Sequence, residues 1–150
     1  MFSSEKEMSA LFEEYLLDCN NAYFPEFKTS FGVPDFLIFF PKKKTILTIS
    51  VELKLYNWKD GISQAFRYKN CSDISYAIID EVFIHRALKN IVHFKKFNIG
   101  LASFNAKKNL KIHHSPKLTS PFCDKSHEHV INTASCIEFK DKPKLELIYN

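Results

Sequence analysis

The first apolar positions of the chain recur at helical spacing. Five of them follow an i, i+3, i+4, i+7, i+8 pattern: Met8, Leu11, Phe12, Tyr15 and Leu16. This spacing places them on one face of a helix, and we therefore predict an amphipathic helix from Ser4 to about Asn20. Ser4 and Glu7 match the capping box that starts many helices.

Two apolar runs that follow have the composition of strands. Residues 35–40 contain a short continuous apolar run, and residues 45–55 are rich in β-branched residues. Pro41 and three lysines separate the two runs, which predicts a turn and a hairpin. Residues 22–27 also allow a short strand, which Pro25 confines to an edge of the sheet or the start of a strand.

Helical and strand patterns alternate in the next part of the chain. The predicted elements are a helix over 58–68, a strand over 75–80, a helix over 82–97 and a strand over 98–103. Such alternation predicts parallel strands covered by helices. The pattern weakens after Asn105, where we predict short strands over 110–112 and 145–149 and a loop over 113–127.

The composition is that of a single globular domain. The chain has 150 residues, of which 45% are hydrophobic and 25% charged, so it has enough apolar material to bury a core. An aromatic content of 15% excludes a disordered chain, and a total of 3 glycines excludes a glycine-rich repeat. We therefore predict that residues 1–150 form one α/β domain.

The start of the chain and its cysteines indicate the compartment. Residues 1–7 lack the basic and apolar segments of a secretory signal, and no apolar run approaches the ~18 residues of a bilayer-spanning helix. The four cysteines are widely spaced, as expected for reduced thiols: Cys19, Cys71, Cys123 and Cys136. These features favour a cytoplasmic protein with no membrane partner.

Positive charge is concentrated in the middle of the chain. Residues 36–120 carry fifteen Lys and Arg against five acidic residues, a net charge of +10, whereas the whole chain has +4. Basic stretches of this kind bind phosphate groups, but they also occur as ordinary solvated surfaces. Charge alone therefore allows a nucleic-acid partner without requiring one.

Three charged residues are predicted to share one site. Glu52 and Lys54 are two apart in a predicted strand and project from one face, while Asp35 opens the neighbouring strand of the hairpin. A solvated strand face would show the same alternation, but the apolar density of both strands indicates burial on both sides. Two buried carboxylates repel each other unless a cation lies between them. Their oxygen atoms suit Mg²⁺ or Mn²⁺, which also bind substrate phosphates.

These charged residues belong to a longer ordered pattern. It consists of Gly32-Val33-Pro34-Asp35, then Val51-Glu52-Leu53-Lys54, then a helix from Trp58 that contains Gln64 and Tyr68. Sixteen residues separate Asp35 from Glu52. The pattern resembles the PD-(D/E)XK nuclease superfamily over about residues 4–103, which leaves 104–150 as a C-terminal elaboration. The resemblance implies a restriction-endonuclease-like fold, a three-layer αβα sandwich with a central mixed β-sheet.

The resemblance also implies a role for each residue of the pattern. Asp35 and Glu52 would bind Mg²⁺ or Mn²⁺ together with the backbone carbonyl of Leu53, and Lys54 would take part in hydrolysis. Gln64 would contact the phosphate or a metal-bound water. The family has an inward glutamate in its first helix, and helical phase selects Glu5 as a further metal ligand. The alternatives are Glu7, Glu13 and Glu14.

The function expected from this resemblance is that of a metal-dependent DNA endonuclease. We assign contacts with DNA to the turn lysines and the helix after the Lys54 strand: Lys42, Lys43, Lys44, Arg67 and Tyr68. Tyr68 also fits a packing role. One predicted domain leaves no separate module to read bases, so we expect targeting by DNA structure or by a protein partner. A homodimer is expected if two strands are cut.

Two other functions remain open from the sequence. The first is a nuclease-like fold that binds nucleic acid without cleaving it. The second is a small zinc-stabilised interaction protein, because four zinc-type ligands lie within fourteen residues: Cys123, His127, His129 and Cys136. Their spacing departs from the usual zinc pairs, and we assign no zinc site.

Overall fold

The chain folds around a mixed six-stranded β-sheet in a computed structural model, which describes residues 1–147 and Tyr149. The strands are β1 (Ala22–Pro25), β2 (Phe36–Pro41), β3 (Ile46–Lys54), β4 (Ile74–Asp80), β5 (Gly100–Phe104) and β6 (Leu110–His114). They lie side by side in chain order from β1 to β6. Each new strand therefore adds to the same edge of the growing sheet.

Antiparallel strands build the two sides of the sheet, and parallel strands build its centre. β1, β2 and β3 pair antiparallel, as do β5 and β6. β3, β4 and β5 pair in parallel, because the helical segments between them return the chain to the end at which each strand starts.

Helices cover both faces of this sheet. They are α1 (Glu5–Asp18), α2 (Trp58–Tyr68), α3 (Ile84–Lys89), α4 (Ile91–Phe97) and α5 (Asp124–Ala134). α1 packs Met8 and Phe12 into the core on one face. α2, α3 and α4 cover the other face above Ala77 and Ile79, and α5 lies on that same face above Leu37. The architecture is a three-layer αβα sandwich.

Alternation along β3 decides which side chains face which layer. The side chains in the α1 core are apolar: Ile49, Val51 and Leu53. The side chains that point toward α2 form the polar row of β3: Thr48, Ser50, Glu52 and Lys54. β3 is buried between its two terminal residues, so most of this polar row lies between the sheet and a helix.

The predicted fold class is confirmed, and so are most of the elements. The hairpin of β2 and β3, the edge position of β1 and the helix over 58–68 are found as expected. Ser4 caps α1 by accepting a hydrogen bond from the Glu7 N–H at 3.1 Å. In the described part of the chain, no helix combines the length and the apolar character needed to cross a membrane.

Two predicted segments between residues 82 and 127 differ in the structure. The helix expected over 82–97 is divided into a 3₁₀ turn at Glu81–Phe83, α3 and α4. The break falls at Asn90, whose side-chain amide donates to the Arg86 carbonyl at 2.8 Å and so competes with regular helical bonding. The loop expected over 113–127 ends early, because α5 begins at Asp124.

The C-terminal residues contribute to the main core. No strand is found over 145–147 or at Tyr149, and Ile148, also part of the strand predicted there, lies outside the described residues. Leu147 is nevertheless buried among the core residues that pack with α1. The segment after residue 103 therefore completes the sandwich through β6, α5 and this contact.

Candidate active site

A tight loop places Asp35 directly before β2. Gly32 in this loop has a φ of +126°, a conformation that favours glycine, and a Cβ there would lie 3.1 Å from a ring carbon of Tyr68. The Tyr68 hydroxyl donates to the Val33 carbonyl at 3.1 Å. Helix α2 therefore holds the loop that presents Asp35.

Asp35 lies at the point where β3 extends beyond its partner strand. The first residue of β2, Phe36, pairs with Val51, so the last three residues of β3 have no partner in β2. The Asp35 carboxylate occupies this position and accepts a hydrogen bond from the Leu53 N–H at 2.7 Å. Because the N–H and C=O of one strand residue point to the same edge, the Leu53 carbonyl is directed toward the same gap.

Glu52 and Lys54 lie together on the α2 side of β3. The Lys54 Nζ is 3.6 Å from one carboxylate oxygen of Glu52, and the Glu52 residue is only 6% exposed. Gly61 of α2 lies beside this pair, since a Cβ at this position would be in ordinary van der Waals contact with the Lys54 side chain, at 3.5 Å. Strand alternation and close helix packing thus bring the predicted acid and amine together.

The two carboxylates are held in an environment that disfavours negative charge. Burial and the neighbouring Asp35 carboxylate raise the pKa of Glu52 to about 8, against a lowering effect of Lys54 and Tyr68. Burial also raises the pKa of Asp35, although its hydrogen bond from Leu53 and the charge of Lys54 lower it. When both acids are ionised, the single positive charge of Lys54 does not balance the two negative charges.

Two side-chain oxygen atoms on β3 and α2 are buried without a hydrogen-bond partner among the described residues. They are the second carboxylate oxygen of Glu52 and the side-chain oxygen of Gln64. Both are acceptors, on neighbouring elements β3 and α2, and buried acceptors without partners are uncommon in native proteins. Their common requirement is a group that donates hydrogen bonds or carries positive charge.

Glu5 is the N-terminal glutamate that reaches the site. It begins α1, is exposed, and accepts a hydrogen bond from the Leu55 N–H at 3.4 Å. Its charge raises the pKa values of both Asp35 and Glu52. Glu7 instead accepts hydrogen bonds from Ser3. The glutamate that helical phase selected is the one whose charge acts on both carboxylates, and the structure places it at the rim of the site.

A cavity of about 370 Å³ lies next to this rim. Residues around it include Glu5 and Lys54, together with three residues that sequence reasoning did not select: Tyr56, Asn57 and Asp60. Asn57 caps α2 by accepting a hydrogen bond from the Asp60 N–H at 3.2 Å. In the sequence, this part of the site is indicated by the Asn-x-x-Asp spacing at the start of the helix that follows the Lys54 strand.

The lysines of the hairpin turn lie away from the carboxylates. Lys42, Lys43 and Lys44 follow the end of β2, whereas Asp35 precedes its start, so about 17 Å of strand separates the two ends. Lys42 contacts the ring and hydroxyl of Tyr149. Any contact of these lysines with nucleic acid would therefore be remote from the acidic pair.

Tyr68 and Arg67 occupy opposite environments on α2. Tyr68 is only 3% exposed and uses its hydroxyl to hold the Asp35 loop, so its assignment as a surface contact with DNA is corrected to a supporting role. Arg67 is exposed on another side of the helix, in a separate groove. The buried tyrosine was recognisable only from its helical phase, which it shares with Gln64 and Gly61.

The four zinc-type residues of the C-terminal region have other surroundings. His127 Nδ1 lies 3.0 Å from the Cys71 carbonyl oxygen, and the His129 ring packs against Phe27 at 5.8 Å. Cys123 precedes α5, and Cys136 is exposed beyond its end. Within the described ranges, no three side chains of His, Cys, Asp or Glu are grouped so that they could hold a metal ion.

Comparisons with known proteins add a distant structural similarity. Neither a protein family nor a curated protein matches the sequence. Among solved structures, the chain is similar to Pyrococcus furiosus SfsA in complex with Ca²⁺, with 8% sequence identity and a TM-score of 0.36. The similarity covers 73% of this chain and 61% of SfsA, so the chain spans less than two thirds of that protein. Function is therefore inferred from the residues of the site.

Proposed function

We propose that this protein is a metal-dependent endonuclease that hydrolyses phosphodiester bonds in DNA. The observation that carries the proposal is the Glu52 carboxylate, which is buried beside Asp35 and keeps one oxygen without a hydrogen-bond partner in the described chain. A structural acid in such a position would be expected to have its acceptors satisfied.

The donor set fits a hard divalent cation. Asp35, Glu52 and the backbone carbonyl of Leu53 would supply oxygen atoms at one edge of β3, whereas Glu5 lies at the rim and, among the described residues, is not grouped with the other two carboxylates as a third metal ligand. Mg²⁺ and Mn²⁺ prefer oxygen ligands and retain several waters, so two protein carboxylates are sufficient. When bound, such an ion would polarise the phosphodiester and lower the pKa of an attacking water.

The remaining residues have roles that follow from their positions. The Lys54 ammonium, 3.6 Å from Glu52, would stabilise the extra negative charge of the phosphorane-like transition state. The buried acceptor of Gln64 would orient a water or a hydrated ligand. Tyr68 and Gly32 hold the Asp35 loop, so they position the reaction without contacting the substrate.

DNA is the proposed substrate because the charge of the chain fits a polyphosphate. The net charge of +10 over residues 36–120 covers the segment that carries both Glu52 and Lys54. A structure-directed or partner-targeted enzyme remains our proposal for how substrates are selected. Binding by Lys and Arg contacts should weaken steeply as salt concentration rises.

The deciding experiment is nicking of supercoiled plasmid by purified protein with Mg²⁺, Mn²⁺ or EDTA. We expect cleavage only with a divalent ion, and loss of at least about a hundredfold in rate for Asp35→Asn and Lys54→Met. Matched controls are Asp18→Asn, in an exposed ion pair, and Lys89→Ala, in α3. Metal-independent cleavage, or full activity in the two site variants, would exclude this mechanism.

Binding of DNA without any metal-dependent cleavage would instead identify a non-cleaving module. The assay therefore includes plasmid, linear duplex, single-stranded, nicked and branched DNA, with RNA as a further substrate. If no substrate is cut under any metal condition while DNA is retained, the endonuclease proposal is wrong.

A further inference from the structure

A second concave surface lies on the far side of α2 from the carboxylates. The α2–α4 groove, of about 860 Å³, is formed by residues of these two helices and by Asn90 between α3 and α4. Four rings contribute to its lining: Trp58, Phe66, His93 and Phe97. Nothing in the proposed chemistry uses these rings, although the groove is larger than the cavity beside Glu5.

The rings of the groove are paired with one another, and three of them are exposed while Trp58 is half-buried. Trp58 stacks on His93 with ring centroids 5.6 Å apart, and Phe66 meets Phe97 at 5.6 Å in an edge arrangement. Phe66 is 38% exposed and Phe97 37% exposed. Exposed aromatic clusters of this kind mark binding surfaces, because their apolar area is costly to leave in water.

The charges of the groove select the type of ligand. Lys59 and Arg67 lie among its lining residues, and in the described chain this lining contains no carboxylate. Lys96 adds a third cation, with its Nζ 5.5 Å from the Phe97 ring centre. Flat rings beside cations favour a ligand that combines flat apolar rings with negative charge, which is the chemistry of unpaired nucleotides.

The groove and the carboxylates lie on opposite flanks of one helix. Gln64 and Gly61 of α2 face the β3 side, whereas Phe66 and Arg67 face the groove. A helix with its side chains is about 10–12 Å across, so a strand of nucleic acid crossing α2 could reach both surfaces. Paired bases could not stack on the groove rings, because they already stack within the duplex.

We propose that the α2–α4 groove binds unpaired bases of single-stranded DNA adjoining the phosphodiester held at Asp35 and Glu52. The inference rests on the proposed function and names its substrate class: DNA with a single-stranded region, such as a flap, gap or branch. Phe66 and Arg67 are the residues assigned to stacking and to phosphate or base contact.

Trp58 provides a direct measurement, since it is the one tryptophan of the chain and lines the groove. Its fluorescence is recorded in EDTA, which prevents metal-dependent cleavage, during titration with oligothymidylate of about 20 nucleotides. The comparison ligands are a duplex of equal length and inorganic polyphosphate. We expect quenching and tight binding with the single strand, and weak quenching with the other two.

Substitutions test whether the groove rings carry the binding. Phe66→Ala and Arg67→Ala should each weaken single-strand affinity about tenfold, whereas Phe66→Tyr should retain it. Val92→Ala and Lys89→Ala are matched controls on the same helical layer outside the groove, and should bind as the unchanged protein does. The melting temperature of each variant reports its folding, and the fluorescence anisotropy of a labelled oligonucleotide reports its binding separately.

The outcomes separate this inference from the proposed function. Equal quenching by duplex and single strand, or unchanged single-strand affinity in Phe66→Ala and Arg67→Ala, would overturn the groove assignment even if plasmid is cleaved. A change in self-association alone would also overturn it and identify an interface between copies of the chain. Single-strand binding that depends on Phe66, without cleavage of any substrate, would support the groove and exclude the endonuclease.

Discussion

The two ends of the polar row of β3 satisfy their buried polar atoms differently. At the start of the strand, the Asp73 carboxylate accepts hydrogen bonds from the N–H of Thr48 at 2.8 Å and from its hydroxyl at 3.0 Å. Ser50 is hydrogen bonded to Ser72 at 2.9 Å. At the other end, the buried Glu52 retains an acceptor for which the described residues provide no partner.

Within a single strand, this contrast separates polar groups that are fully hydrogen bonded from the acid to which we propose a catalytic role. Burying a polar group costs free energy that hydrogen bonds offset, and the Thr48 end follows this rule. The Glu52 end has the same burial but also has a neighbouring acid. The missing hydrogen-bond partner of Glu52 is therefore not a general property of polar groups in this core. We expect a bound ligand to supply this missing partner, which substitutions at the two ends of the strand can test.

The largest expected effect is on catalysis at the Glu52 end. Glu52→Gln keeps the shape of the side chain but removes the ionisable carboxylate, so metal-dependent plasmid nicking should fall at least about a hundredfold. The melting temperature without metal should be maintained or raised, because the substitution removes the ionisable carboxylate that is buried beside Asp35. Equal cleavage by this variant and the unchanged protein would contradict the assignment.

The opposite result is expected at the Thr48 end. Asp73→Ala removes the acceptor for two hydrogen bonds from Thr48, one of them from its backbone N–H, so the free energy of unfolding should fall by about 2–3 kcal/mol. Cleavage per folded molecule should be retained below the melting temperature. Urea unfolding and nicking assays measure the two quantities. If this variant loses cleavage without losing stability, the two ends are not functionally distinct.

The linkage between pH and metal provides a further test. The pKa of Glu52 is raised to about 8 in the fold, against an ordinary value of 4.5, so between these values the native state binds the extra proton. Without metal, this residue therefore makes stability fall as pH rises from about 4.5 through 8, and Glu52→Gln should flatten that fall.

Added Mg²⁺ or Mn²⁺ should offset this fall in stability, because the ion competes with the proton. Stabilisation by metal should grow between about pH 6 and 8.5 and reach about 2.7 kcal/mol at a hundredfold excess over the dissociation constant. Thermal melts across this range, with and without the ion, give the measurement. Metal stabilisation independent of pH would show that the ion binds elsewhere.

A smaller effect is expected where α2 holds the Asp35 loop. Tyr68→Phe removes the hydrogen bond to the Val33 carbonyl while keeping the buried ring, so stability should fall by about 1 kcal/mol. Because the loop presents Asp35 and the Tyr68 hydroxyl also lowers the pKa of Glu52, the metal concentration needed for half-maximal cleavage should rise several-fold. An unchanged metal requirement with the same loss of stability would leave Tyr68 with a packing role alone.

The smallest effect is expected at the rim. Glu5→Gln should reduce cleavage only a few-fold, since Glu5 is exposed and contributes charge from outside the buried pair. Glu14→Gln on the same helix is the matched control and should have no effect. A loss as large as that of Glu52→Gln would move Glu5 into the set of essential ligands.

Local patterns predicted the sheet and the acidic pair because both depend on strand alternation. Val51 and Leu53 alternate with Glu52 and Lys54, which defined a strand with two different faces, and the proline-lysine turn defined the hairpin. The same hairpin explains why the turn lysines are remote from Asp35: antiparallel pairing puts the turn and the start of β2 at opposite ends.

Other features depended on contacts between distant parts of the chain. Helix α5 was not predicted because only Val130 and Ala134 are buried along its 11 residues, which leaves little apolar periodicity. The role of Tyr68 required knowing that the Gly32 loop lies against α2. Neither the unpartnered Glu52 oxygen nor the aromatic groove could be recognised without the packed helices.

The β2–β3 pairing stops at Phe36 and Val51, before β3 itself ends, and this has a structural consequence. The last three residues of β3 extend beyond the pair of Val51 with Phe36. The N–H groups of Leu53 and Leu55 donate to acidic side chains instead of to the backbone of another strand. The gap beside the end of β3 is therefore created by the difference in length between β2 and β3, and it does not depend on the chemistry of the residues around it. Two residues added to β2 before Phe36 would extend its backbone pairing toward the end of β3. This extension would exclude any bound ligand, while the sandwich would be preserved.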